Sequence, residues 1–326
     1  MKTVIRLAIA AVSAASLAGL AAVPAHAGTG QFDGVNWADP RDNFADDALV
    51  LSGLTAADSY ATVKAKAQSI AAEFYTKVGA NTIRIPINPA TVNSSRWAAY
   101  KGVIDGIRAQ GARVIIAYWE GTNRDGVIDN TTAYNTMWDT VVAAYGSDSF
   151  VFFEPMNEPH GYTLSAWGGV AAAWLARYPN ISRDRVVVDG QGYSENVTGV
   201  CADSRLNGTL LGLHNYAYWA NRTYNQWLAD WSSRIGSCAS RTVITEFGAT
   251  MNTGLNYSAP SSNNEVMYMQ AATKTARDNA MGLVYWPGLR DGDSYSLTTR
   301  GGAGTNITLT VVNASGKNNV QYGYGF

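Results

Sequence analysis

The chain has 326 residues, 47% of them hydrophobic and 15% charged, with a formal net charge of −1. A chain of this size can bury a large core, and α/β barrels routinely run this long as one domain. The near-neutral balance argues against nucleic acid or an anionic membrane surface as a partner held by charge. At the N-terminus, Lys2 and Arg6 precede an apolar run from Leu7 to Val23 and the small-x-small triplet Ala25-His26-Ala27. The run is short, Ala-rich and ends at a processing pattern, so residues 1–27 read as a secretory signal rather than a membrane anchor. Its removal takes the charge from −1 to −3 and leaves residues 28–326 as a single secreted domain, expected to be a monomer free of the membrane.

Along that domain, short runs rich in Val, Ile and Phe alternate with longer amphipathic stretches. Eight strands are expected, at Gly34–Trp37, Asn81–Ile87, Arg113–Tyr118, Ser149–Met156, Arg185–Asp189, Thr209–His214, Thr242–Glu246 and Met281–Trp286. Several lack period-2 alternation, as parallel strands buried on both faces do. Helical spacing is expected over Ala57–Val78, Arg96–Ala109, Thr132–Tyr145, Leu164–Tyr178, Thr223–Ile235 and Asn264–Asn279, with Thr163 and Ser262 as N-caps. Strand–helix alternation in eight units predicts an α/β fold of the (β/α)8 TIM-barrel type. A doubly wound sheet would want a Gly-rich phosphate turn after its first strand, and Gly34-Val35-Asn36-Trp37 is not one. Beyond strand eight the chain is Gly- and Thr-rich, so the last helix is expected to be short or missing. The two cysteines, Cys201 and Cys238, read as one disulfide in an exported protein.

In such barrels the chemistry sits at the C-terminal ends of the strands. Two glutamates stand there. Glu158 closes Phe150-Val151-Phe152-Phe153-Glu154-Pro155-Met156-Asn157-Glu158, and Glu246 closes Arg241-Thr242-Val243-Ile244-Thr245-Glu246. Two carboxyl groups facing one sugar linkage suffice to hydrolyse it: one protonates the leaving oxygen, the other attacks the anomeric carbon or activates a water. Around them collect Arg84, Tyr118, Trp119, Glu120, Asn157, Asp189, Gln191, Tyr193, His214, Tyr216 and Trp286. Trp37, Trp119, Trp219 and Trp286 lie at strand ends, where they are expected to stack on the apolar faces of sugar rings. Trp138 and Trp174 are expected in the core, and Glu154 as a structural acid. His160 suits loop packing as well as ligand contact. Asp291-Gly292-Asp293 lacks the closing Glu of a calcium loop, since Gly302 stands there. No metal or cofactor is called for.

The set Asn157-Glu158-Pro159-His160-Gly161, Arg84 in Asn81-Thr82-Ile83-Arg84-Ile85-Pro86, His214-Asn215-Tyr216, Glu246-Phe247-Gly248 and Trp286 resembles the family 5 glycoside hydrolases. The resemblance implies a retaining hydrolase acting on an oligo- or polysaccharide. Glu158 would be the acid/base and Glu246 the nucleophile. Asn157 would hold the sugar 2-hydroxyl, Arg84 and Tyr216 would support Glu246, His214 would order the polar network, and Trp286 would floor the subsite of the attacked sugar. The sequence departs from the family at the end of strand three. A His is usual there and this chain has Ala117-Tyr118-Trp119-Glu120, which is read as an altered substrate-binding rim at Trp119 and Glu120. The favoured expectation is internal cleavage of a β-1,4-glucan or β-mannan. An exo-acting β-glycosidase and a non-catalytic carbohydrate-binding barrel are the alternatives.

Overall fold

The structure is a computed structural model and describes residues 29–326. The expected secretory signal, residues 1–27, lies outside the described residues. Eight parallel strands, β1 (Asp33–Trp37), β2 (Thr82–Ile87), β3 (Arg113–Tyr118), β4 (Val151–Glu154), β5 (Val187–Asp189), β6 (Leu210–His214), β7 (Thr242–Phe247) and β8 (Gly282–Leu289), form one sheet in the order β4-β3-β2-β1-β8-β7-β6-β5. A single parallel bridge, Phe153 to Val186, joins its two ends and closes it into a barrel. The helices are α1 (Tyr60–Val78), α2 (Pro89–Val92), α3 (Trp97–Ala109), α4 (Thr131–Tyr145), α5 (Leu164–Arg177), α6 (Gln191–Ser194), α7 (Val197–Cys201), α8 (Tyr224–Ile235), α9 (Asn264–Asp278) and α10 (Ala314–Tyr324). The (β/α)8 TIM barrel expected from the sequence is the fold.

Side chains that cap backbone N–H groups set where the helices begin. Ser59 accepts from Thr62 N, and Thr163 from Ala166 N as expected. Thr223 and Gln226 form a reciprocal capping box. The cap of α9 is Asn263 rather than Ser262; its side chain takes the N–H groups of both Glu265 and Val266. Strand β4 is shorter than expected and stops before Pro155, which has no N–H to give a ladder. After β8 the chain makes an antiparallel hairpin, β9 (Thr298–Ala303) and β10 (Asn306–Val311), and then α10, so the eighth helix is present. Among the described residues no helix is long and apolar enough to cross a membrane.

Burial divides the barrel into levels. Its lower interior is apolar, filled by Phe32, Ile115, Phe152, Val187, Leu210, Val243 and Val284. Above them the inward positions turn polar: Asn36, Arg84, Glu154, Asp189, Thr245 and His214, all buried. Outside, the main core packs strands against helices and includes Trp138 and Trp174, the latter two ring to ring at 5.4 Å.

Cys201, at the end of α7, is bonded to Cys238, after α8, across a sequence separation of 37. On the chain-entropy account, closing such a loop stabilises the fold by about 3–4 kcal/mol. Replacing both cysteines by Ser is expected to lower the unfolding free energy by about that amount, read by urea denaturation. An unchanged midpoint and slope would refute it.

Candidate active site

Arg84 is the hub of the polar layer. Its Nε and Nη2 grip Glu154 at 2.7 and 2.5 Å, Nη1 donates to Asn36 Oδ1 at 2.9 Å and Glu246 Oε1 at 2.5 Å, and Nη2 reaches Asn157 Oδ1 at 2.7 Å. A guanidinium 1% exposed is tolerable only with such full pairing. Glu154, the expected structural acid, is wholly buried and both its oxygens are used on Arg84.

The other oxygen of Glu246 accepts the Tyr216 hydroxyl at 2.8 Å. Glu158 faces it from the loop after β4, with φ +47°. Its Oε1 lies 2.9 Å from His214 Nδ1. One ligand atom each from Glu158, His214 and Glu246 lie within 4.8 Å of one another. Burial pushes the Glu158 carboxyl up to about 7, against the opposing charge of Arg84. Burial also raises Glu246, but the Arg84 guanidinium and the Tyr216 hydroxyl oppose it. The His214 imidazole is itself pushed down to about 4 by burial, so near neutral pH it is uncharged. Arg84 therefore carries the cationic support of Glu246 by a direct bond, while Glu158 bonds to no cation among the described residues. The direct bond to Arg84 favours the ionised form at Glu246, a support that Glu158 lacks.

The two carboxyls open onto a cleft with two lobes. One, of about 350 Å³, is lined by Asp42, Phe44, Trp119, Glu158, Tyr216, Tyr218, Glu246, Trp286, Arg290, Asp293, Ser294 and Tyr295. The other, of about 240 Å³, runs past His160, Tyr193, Glu195, His214 and Trp219. Glu158, Phe44, Tyr216 and Tyr218 belong to both. Trp286 and Trp119 stack 5.5 Å apart at 20° in the first lobe. Tyr193, Tyr218 and Trp219 stand 43%, 61% and 56% exposed beside the second. A larger hollow of about 610 Å³ lies elsewhere, bordered by residues of α8, α9 and α10, and no carboxylate lines it.

Most of the residues singled out from sequence thus meet here: Arg84, Asn157, Glu158, His214, Tyr216, Glu246, Trp119 and Trp286. Two do not. Trp37 is fully buried in the outer core, its indole N–H on Ser52 O at 2.9 Å, and offers no stacking face. Glu120 points away from the cleft and takes the Gly126 N–H on both oxygens, at 3.1 and 2.9 Å. Burial raises its carboxyl to about 7. His160 bonds through Nδ1 to the Glu158 carbonyl at 2.9 Å and through Nε2 to the Arg124 carbonyl at 3.1 Å, stacking on Tyr193 at 4.2 Å. It packs the loop and also borders the second lobe. Phe44, Asp42, Tyr218, Arg290 and Tyr295 were not foreseen. They come from the loops after β1, β6 and β8.

The family model Cellulase (glycosyl hydrolase family 5) matches residues 47–288. No curated protein matches the chain. Among solved structures, an endocellulase from Pyrococcus horikoshii bound to cellotetraose superposes with a TM-score of 0.66 at 16% identity, covering 90% of this chain and 92% of that one. The endo-β-1,4-glucanase of Xanthomonas axonopodis pv. citri, in a triple mutant, gives 0.59 at 14%, covering 90% and 99%. A thermostable, halotolerant family 5 cellulase from an Icelandic hot spring isolate gives 0.58 at 12%, covering 79% and 84%. At these identities the structural likeness is one of fold. The family match spans most of the chain, and the barrel places the paired glutamates of its motifs in one cleft: the chain belongs to glycosyl hydrolase family 5 and is a glycoside hydrolase.

Proposed function

We propose that this glycoside hydrolase is a secreted, retaining endo-β-glycosidase acting on a neutral polysaccharide of the β-1,4-glucan or β-mannan type. The observation that carries the mechanism is the approach of the two carboxylates, with oxygens within 4.8 Å. Retaining enzymes hold their carboxyls about 5–5.5 Å apart, whereas inverting ones leave about 6.5–9.5 Å for a water. In the first step Glu246 attacks the anomeric carbon while Glu158 gives its proton to the departing oxygen. In the second, Glu158 takes a proton from water, the resulting hydroxide adds to the anomeric carbon, and Glu246 leaves. Asn157 has Oδ1 committed to Arg84 while its buried Nδ2 has no partner among the described residues. That free donor suits a sugar 2-hydroxyl, whose hydrogen bond strengthens in the transition state. Trp286, backed by Trp119, supplies an apolar face for the ring.

Internal cleavage is supported by space on both sides of Glu158 and by the exposed rings of Tyr193, Tyr218 and Trp219 along the second lobe. Two of its structural neighbours, an endocellulase and an endo-β-1,4-glucanase, support the same reading. Product analysis on β-glucan, mannan, xylan and galactan tests it. A ladder of oligomers from one polymer is expected; a single small product would replace the endo reading by the exo one.

The raised carboxyl of Glu158 gives a pH expectation. The acid step needs its protonated form, which is lost as pH climbs through about 7. kcat/KM should therefore fall on the alkaline side of about pH 7, and a Glu158→Gln variant should lose that limb. An unaltered alkaline limb in the variant would assign the titration to another group.

A further inference from the structure

The loop bearing Glu158 leaves the sheet at the thinnest seam of the barrel. Strand β4 stops at Glu154, β5 is three residues long, and one bridge joins them. Asn157 is fixed by its N–H on Tyr118 O at 2.8 Å. The next N–H, that of Glu158, goes to a side chain instead: it donates to Asp189 Oδ2 at 3.2 Å. Glu158 needs such a restraint, because a non-glycine residue at φ +47° does not stay there unaided.

Asp189 ends β5, is fully buried, and is itself braced. Its Oδ2 also accepts the Ser194 hydroxyl at 2.5 Å, and its carbonyl accepts the Trp167 indole N–H at 2.7 Å. On its other side its carboxyl faces His214 Nε2 across 3.9 Å, and the same imidazole bonds Glu158 Oε1 through Nδ1. Among the described residues Asp189 Oδ1, His214 Nε2 and Thr245 Oγ1 find no hydrogen-bond partner, though all three are buried. Gly212 leaves room for this group, since a Cβ there would meet Asp189 Oδ1 at 2.0 Å and Thr245 Oγ1 at 3.0 Å. Leaving buried polar atoms unpaired is costly, so a carboxyl kept at such a point is one the site has use for.

We propose that Asp189 is the positioning residue of the proton donor, holding Glu158 in place through its backbone N–H. The proposal rests on Glu158 being the acid/base. A carboxylic acid that must meet a departing oxygen is sensitive to small displacements, and about 1 Å of misplacement can cost about 10²-fold in rate. Asp189 would then matter only where protonation of the leaving group matters.

Aryl glycosides of the sugar cleaved separate that role from a merely structural one. A 2,4-dinitrophenolate departs without a proton, whereas an unactivated alkyl or sugar aglycone does not. Asp189→Ala should lower kcat/KM on the unactivated glycoside by about 10²-fold and leave the dinitrophenyl glycoside nearly unchanged. Glu158→Ala, run alongside, should show the same contrast in larger form. If Glu158→Ala shows no contrast, the acid/base assignment itself fails. If it does, and Asp189→Ala loses equally on both substrates or on neither, the role of Asp189 is overturned. Should Asp189→Ala not fold, Asp189→Asn and Ser194→Ala are judged by the same contrast.

Discussion

Glu246→Gln is expected to reduce turnover of the natural polymer by about 10⁴-fold or more while the barrel stays folded. The amide is the size of the carboxyl. Its oxygen can still accept from Arg84 Nη1, which sits 2.5 Å from Glu246 Oε1, and its nitrogen can donate to the Tyr216 oxygen now 2.8 Å from Oε2. What it lacks is a lone pair nucleophilic enough to form the glycosyl-enzyme, so the first of the two steps has no route. Two measurements check this. Hydrolysis of the polymer should vanish with the thermal midpoint near wild type. A 2-deoxy-2-fluoro glycoside with a good leaving group should add its glycosyl mass to the wild-type chain and not to the variant. Wild-type turnover in Glu246→Gln would remove Glu246 from the mechanism. A labelled variant would place the nucleophile on another side chain.

The order of elements and the cluster of motifs at strand ends were legible in the sequence because both follow chain position alone. What stayed hidden was which way each strand-end residue faces. Asn36 points into the barrel, so its neighbour Trp37 must point out, into the core under the helices. Ile115, Ala117 and Trp119 alternate inward along β3 and beyond it, which brings Trp119 onto Trp286 and turns Glu120 away. In a parallel strand apolar on both faces, no alternation of residue type marks this parity, and one position decides between a cleft-facing ring and a packing ring. The irregularities near the site were equally silent. Pairing shifts between Leu213 and His214 on β6, and between Ile244 and Phe247 on β7, set where His214 and Glu246 meet. The partner of Arg84 was half visible: Glu246 was foreseen, but Glu154 grips the guanidinium from two strands away, past the small side chain of Ala117.

That second carboxylate sets the other large effect, the loss expected from Arg84→Met. The substitution roughly keeps the volume and deletes five hydrogen bonds, to Glu154 twice, Asn36, Glu246 and Asn157. Glu154, with no exposure at all, would be left as an unpaired buried charge, and Glu246 would lose the cation bonded directly to it. Breaking a buried pair from one side costs about 3–5 kcal/mol, because the stranded charge keeps its desolvation penalty. Denaturation should show a loss of that size. The companion variant Arg84→Met/Glu154→Gln removes the stranded charge and should recover much of the stability, a coupling that a double-mutant cycle reads directly. Activity should not return with it. Without the guanidinium the ionised form of Glu246 is disfavoured, its pKa rises, and the acidic limb of kcat/KM moves to higher pH in both variants. Full activity in the stabilised double variant would mean that Arg84 serves the fold alone and that Glu246 is kept ionised by other groups. Recovery of stability without recovery of rate separates the two duties of one side chain: Glu154 answers to the barrel, and Glu246 to the chemistry.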